Sequence, residues 1–381
     1  MNAQPHLDRA RLPIMALAMV ALLAALWAGL VRIGWPFPPL IPGLVAVHGG
    51  LMISGFLGTV ISMERAVALG RRWGYAAPLL MGIGSLLLLV EALTPVGIVL
   101  SAIGGIFFVA IFIVIVRRQT AIFTLTMALG VVCFFIGDLI WLAGFPVFRL
   151  VLWWTAFLIL TIVGERLELS RLMRLSRASE RLYLAAVGVL LLGLVTDTVE
   201  GLALPAVGST IGVRIAGLGM LGLALWLLRY DIARRTIRQS GLTRFIGWCL
   251  ILGYIWLGLG GLLRLVTGGA PAGPLYDATL HTVFLGFVMS MIFGHAPIIL
   301  PAVLGRAVPY KADFYAHLVL LHLSLALRIA GDLLPSFEMR EWGGLLNVLA
   351  VLLFLFVTAR GVVLARRARP LAKTVSSAII H

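Results

Sequence analysis

Five histidines lie inside apolar runs of this sequence: His48, His281, His295, His317 and His322. An ionisable side chain is costly in such surroundings, so by default it faces a protein interior and is retained for a task. Imidazole is also the commonest side-chain ligand for metal ions and a frequent axial ligand of haem iron. The remaining two histidines, His6 and His381, are at the termini. On one helix, His281 and His295 are separated by about 21 Å along the axis and return to within roughly 40° of the same face. That helix can therefore show two imidazoles to one interior at two levels. His317 and His322 are separated by about 140° around a helix and do not both serve one ion from one face. One is expected to be a ligand and the other a supporting or packing residue; the spacing does not choose between them. Met52, one helical turn after His48, offers a soft sulfur on the same face, although packing is its commoner use.

The elements that position these residues follow from composition. Of 381 residues, 61% are hydrophobic and 12% charged, with a mean hydropathy of +1.09. A water-soluble core cannot hide that much apolar surface, and runs long enough to cross ~30 Å of hydrocarbon recur along the whole chain. The reading is an all-α, polytopic membrane helix bundle of about twelve transmembrane helices forming a single domain over 1–381. The expected spans are 13–33, 39–62, 75–95, 97–116, 120–143, 147–164, 182–201, 207–228, 244–266, 275–302, 311–333 and 342–365. Charge supplies an independent test, because loops kept in the cytoplasm are enriched in Lys and Arg. With both termini cytoplasmic, all 30 basic residues fall on the inner side except Arg32, Arg149, Arg214, Arg264, Arg328 and Arg340. The net charge of +15 is thus topology, and no nucleic-acid partner is needed to explain it. The partner is the lipid bilayer, expected to be a bacterial inner membrane.

This topology assigns depths. His48 and His281 fall towards the outer surface, His295 and His317 towards the inner one, and His322 near mid-membrane. Two centres are expected: an outer one on His48 and His281, and an inner or central one on His295 with His317 or His322. Haem needs one or two axial imidazoles and copper two or three, so the set suits two haem or metal centres. Pro297 and Pro301 are expected to bend or break the helix after His295. Glu64, Arg65, Glu165 and Glu168 fall at inner helix ends, and Glu91, Asp138, Asp197, Glu200, Asp277 and Asp332 towards outer ones. Cys133 and Cys249 lie inside spans and define no disulfide framework.

Three stretches resemble a known family: HGGLMISGFLGTVISMERAV from His48, HTVFLGFVMSMIFGHAPIILPAVLGR from His281, and LALRIAGDLL from Leu325. They are similar to the NnrS family of haem- and copper-containing bacterial membrane proteins, itself distantly like the main subunit of haem-copper oxidases and nitric oxide reductases. The resemblance implies a twelve-helix bundle with interior histidines as ligands and a role in nitric oxide metabolism or nitrosative-stress resistance. Together with the residue spacing, it makes His48, His281, His295 and His322 candidate ligands for a b-type haem, and His295, His317 and His322 candidates for copper. Turnover of a small gas such as nitric oxide, as in a reductase, would need an external electron donor. A secondary transporter moving protons or metal ions on the same histidines is the alternative. A cofactor-free scaffold is the third reading.

Overall fold

The computed structural model describes residues 11–378 except 42, 171–174, 204–209 and 305–307; His6, His381, Arg9, Arg171, Arg174, Arg306 and the first residues of the expected span 207–228 lie outside the described residues. Every regular element among the described residues is helical. The chain is a polytopic membrane helix bundle. Its first half holds α1 (Leu12–Ile33), α2 (His48–Leu69), α3 (Ala76–Leu87), α4 (Thr94–Arg118), α5 (Ile122–Leu142) and α6 (Val147–Ser170). Its second half holds α7 (Arg177–Ala203), α8 (Ile211–Tyr230), α9 (Gly241–Thr267), α10 (Pro274–Pro301), α11 (Phe314–Leu333) and α12 (Phe337–Val363).

Among the described residues, 11 helices are long and apolar enough to cross a membrane. The exception is α3, whose 12 residues fall short of the ~20 that a crossing needs. The expected span at 75–95 ran on because Leu86–Val90 is apolar, yet the helix stops at Leu87 and turns through Glu91–Leu93 into α4. The direction of the chain still alternates. Gly84 lies against Gly97 and Ser101, while Gly104 lies against Ala77 and Met81, a register that only antiparallel helices give.

Consecutive helices mostly pack as antiparallel hairpins, and α1 closes the bundle against α2, α3 and α12. The interior belongs to α6, α10 and α2. Their most apolar windows are 83%, 67% and 61% buried, more than in any other span. In α6 this follows directly from the sequence: Leu150 to Leu160 is buried on every side, as expected of a helix without a polar face. Two of the three central helices therefore carry histidines.

Between α7 and α8 the backbones touch. A Cβ added at Gly212 would stand 2.1 Å from the backbone nitrogen of Asp197, and one at Gly193 2.3 Å from that of Ala216. In lipid, small residues make such close approach possible and van der Waals packing drives association. Gly212→Val is expected to force the two backbones apart, at a cost of about 1–3 kcal/mol or more. A lowered unfolding midpoint in detergent checks this, with the exposed and contact-free Gly188→Ala in α7 as the mild control.

The arginines opposite the basic loops are tied to the bundle. Arg214 donates to the carbonyls of Leu265 and Val266 at 2.7 Å each, satisfying orphan acceptors at the C-terminal end of α9. Arg264 donates to Thr279 O at 2.6 Å. Arg328 is held by Asp277, and Arg340 lies 3.9 Å from Asp332.

Candidate functional site

Helices α2 and α10 share a local design. His48 opens a short α-helical turn, His48–Gly50, and the chain then widens into a π-helix over Leu51–Gly58. His281 closes the α-helical piece Pro274–His281 and is followed at once by a π-helix over Thr282–Met289. A π-helix gives up i→i+4 bonding for i→i+5 and is found preferentially at functional positions. Both stretches contain glycines that permit close contact: a Cβ at Gly55 would stand 2.7 Å from Ser85 Cβ, and one at Gly286 2.4 Å from Trp256. The expected break at Pro297 and Pro301 is absent; the helix runs through both to Leu304. The irregularity sits upstream, over Thr282–Met289.

The hydrogen bonds fix the tautomers of three histidines. His48 Nδ1 lies 2.8 Å from Ala25 O on α1, with the ring over Gly29. His281 Nδ1 lies 3.0 Å from Asp277 O and 3.2 Å from Asp277 Oδ1. His295 Nδ1 lies 2.8 Å from Met291 O. A carbonyl oxygen only accepts, so in each ring Nδ1 carries the proton, leaving the Nε2 lone pair open for a ligand. This is the arrangement that orients a ligating imidazole and raises its basicity. His48 is the first residue of α2 and His281 ends the first α-helical piece of α10, so each imidazole stands just before a π-helical stretch.

Behind His281 stands an ion pair. Arg328 on α11 donates Nε to Asp277 Oδ2 and Nη2 to Asp277 Oδ1, both at 2.7 Å. The fork locks the carboxylate that in turn faces the imidazole, a carboxylate–histidine relay of the kind that supports metal ligands.

The expected inner group is a different matter. His322 has both nitrogens engaged: Trp256 Nε1 lies 2.9 Å from Nδ1 and Ser290 Oγ 3.1 Å from Nε2. Indole N–H is a donor only, so Nδ1 accepts and Nε2 carries the proton, donating to Ser290. In this arrangement neither nitrogen of His322 offers an open lone pair, unlike those of His48, His281 and His295. Trp256→Phe is expected to leave Nδ1 unsatisfied and cost about 1–3 kcal/mol. Thermal unfolding checks it; the same midpoint as wild type would show that the bond contributes nothing.

His317 is fully buried, and neither ring nitrogen has a hydrogen-bond partner. Phe245, Phe293, Phe314 and Phe354 enclose it, with Phe293 closest at 4.6 Å between centroids and near-perpendicular. It sits as an aromatic wedge among α9, α10, α11 and α12. Among the described residues no three His, Cys, Asp or Glu side chains gather as a metal centre.

Two features were not legible as sites. Asp138, expected near an outer helix end, is fully buried and bonded to α2, α4 and α6 through Ser54, Ser101 and Trp154. Arg166, expected in an inner basic loop, is a buried residue of α6 whose guanidinium forks onto Asp231 with two bonds of 3.0 Å. The acidic partner in each case sits far away in sequence or in an apolar run, where periodicity carries no signal. Arg65 pairs with Glu165, joining α2 to α6.

Fold and site together define a multi-pass membrane protein whose central helices hold anchored imidazoles in their interior. The chain belongs to the family described as a domain of unknown function, DUF8744, whose model matches residues 11–363. No curated protein matches the chain.

Proposed function

We propose that the protein is a membrane haem protein, with copper as a second metal, that binds or reduces a diatomic gas. Nitric oxide is the gas suggested by the NnrS-like segments. The reading places it in a bacterial inner membrane with the basic loops and both termini in the cytoplasm. The observation that carries it is the like anchoring of His48 and His281: each imidazole faces a carbonyl through Nδ1 and presents an open Nε2. The donor chemistry fits haem iron, which needs one or two axial imidazoles. Haem, when bound, supplies the redox-active iron to which the gas adds.

The chain's own part is to orient and enclose. Ala25 O and Gly29 seat the His48 ring, and the Asp277–Arg328 pair holds His281. Lipid-facing helices around α2, α6 and α10 exclude water. His295, with Nε2 open in the same way, is the residue that copper would draw on. Electrons would come from an external donor.

The π-helical stretches favour a second reading, since secondary transporters place binding sites where interior helices depart from regular α-helix. The two are separated by a reduced-minus-oxidised spectrum of protein purified from haem-replete cells, followed by nitric oxide. A Soret band that shifts on adding the gas supports the haem reading. A colourless, metal-free protein overturns it and directs attention to proton or metal flux in vesicles.

A further inference from the structure

Three aspartates are buried among the described residues: Asp138, Asp231 and Asp332. Asp231 faces Arg166, and the half-buried Asp277 faces Arg328, each through a two-bond fork, while Asp332 lies 3.9 Å from Arg340. Asp138 has no ion pair among the described residues. Its relative exposure is 0%, and its partners are all neutral: Ser101 Oγ at 2.6 Å to Oδ2, Trp154 Nε1 at 3.0 Å to Oδ1, and Ser54 Oγ at 3.4 Å to Oδ1. These come from every element packed on that side of α5: Ser101 from α4, Trp154 from α6, Ser54 from α2. None carries a charge. An uncompensated carboxylate in a bilayer interior is costly, and neutralisation by a proton removes that cost.

We propose that Asp138 is a proton-binding site in the membrane interior that exchanges its proton with water. On uptake, an O–H bond forms at a carboxyl oxygen of Asp138 and one O–H bond of a hydronium ion breaks, releasing water; the carboxylate charge is neutralised, and no electrons move. The donor set decides which oxygen takes the proton. Trp154 Nε1 is a donor in either state, so it cannot accept an O–H. A serine hydroxyl can reverse. Ser101, at 2.6 Å, is the partner placed to accept from Asp138 Oδ2, turning its own O–H to the carbonyl one helical turn back on α4, as membrane-helix serines do. In the ionised form all three donors point inwards, and the 2.6 Å contact matches a charge-assisted O–H···O⁻ bond. The same cluster therefore satisfies both states by rotating one hydroxyl.

The site lies near one end of α5. Asp138 lies four residues before the end of α5 at Leu142, about 6 Å along the axis. Its donor Ser54 belongs to the π-helical stretch of α2 that follows His48. The inference does not rest on haem or on nitric oxide.

The test is infrared difference spectroscopy of the full-length purified protein between acid and alkaline buffer, in wild type, Asp138→Asn and Ser101→Ala, with the amide band showing that each variant keeps its helix content. The expected result is a protonated-carboxyl C=O band that appears on acidification in wild type and vanishes in Asp138→Asn. In Ser101→Ala the band should persist at a higher frequency, because its hydrogen-bond acceptor is gone. Identical difference spectra for wild type and a folded Asp138→Asn would overturn the proposal. So would a Ser101→Ala band at the wild-type frequency. If Asp138→Asn does not fold, the Ser101→Ala shift decides alone.

Discussion

Arg166→Met is expected to destabilise the protein by about 3–5 kcal/mol, the usual cost of stranding one partner of a buried ion pair. The pair is almost sealed, with side-chain exposure of 4% for Arg166 and 0% for Asp231. Asp231 also accepts the Ala233 N–H at 2.7 Å and Ser170 Oγ at 3.3 Å, so it fixes the turn between α8 and α9 to α6. Methionine keeps the length of the side chain and removes the fork, leaving a buried carboxylate with two neutral donors. Pairing Arg166→Met with Asp231→Asn should recover part of the loss, because asparagine still offers an oxygen to Ala233 and no longer carries charge. Unfolding midpoints in one detergent rank the three proteins. A single variant that melts with wild type would mean that the pair adds nothing to stability.

Asp277→Ala is the second large effect. It removes the carboxylate facing His281 and leaves Arg328 without its fork; with side chains 22% and 10% exposed the pair is less sealed than Arg166–Asp231, and the expected cost is smaller, about 1–3 kcal/mol. On the proposed function it also loosens the imidazole. Loss of such a supporting carboxylate typically lowers ligand-site affinity by ~10–100-fold. The Asp277 backbone carbonyl, 3.0 Å from His281 Nδ1, serves in either variant, but only asparagine keeps a side-chain oxygen for the imidazole, so Asp277→Asn should fall at the mild end of that range and Asp277→Ala at the severe end. Haem retention under detergent dilution measures the difference. Equal retention in both variants and wild type would remove Asp277 from the account.

How much of this was legible in the sequence depends on the kind of signal. Hydropathy located the membrane-crossing helices because apolar length is what lipid demands; it overran at Leu86–Val90, where an apolar connection looks like more helix, and it set the second span at 39–62 where the helix is His48–Leu69. The expectation that His48 and His281 share one level rests on depth and helical phase, both simple counts along a helix. His322 was less legible because its partners, Trp256 and Ser290, are ordinary residues that become meaningful only once α9, α10 and α11 touch. The π-helical stretches have no composition of their own. They arise from tertiary packing, and the two prolines that pointed to a break downstream are absorbed in a continuous helix. Asp138 was placed at a helix end from position alone, whereas its three donors come from helices that neither adjacency nor periodicity could bring together. Of the basic residues, Arg214 and Arg328 read correctly as lying opposite the basic loops, but their roles as a helix-end cap and a carboxylate fork are facts of contact.

The central claim is that His48 and His281 supply imidazoles to haem iron, and the most direct measurement is haem content per protein, with its optical spectrum, in wild type, His48→Ala, His281→Ala and His322→Ala. The account predicts a haem spectrum in wild type that His48→Ala and His281→Ala each lose or alter, while His322→Ala, whose ring nitrogens are both committed to protein partners, retains it. A wild-type protein without haem, or a spectrum unchanged by both His48→Ala and His281→Ala, would contradict it.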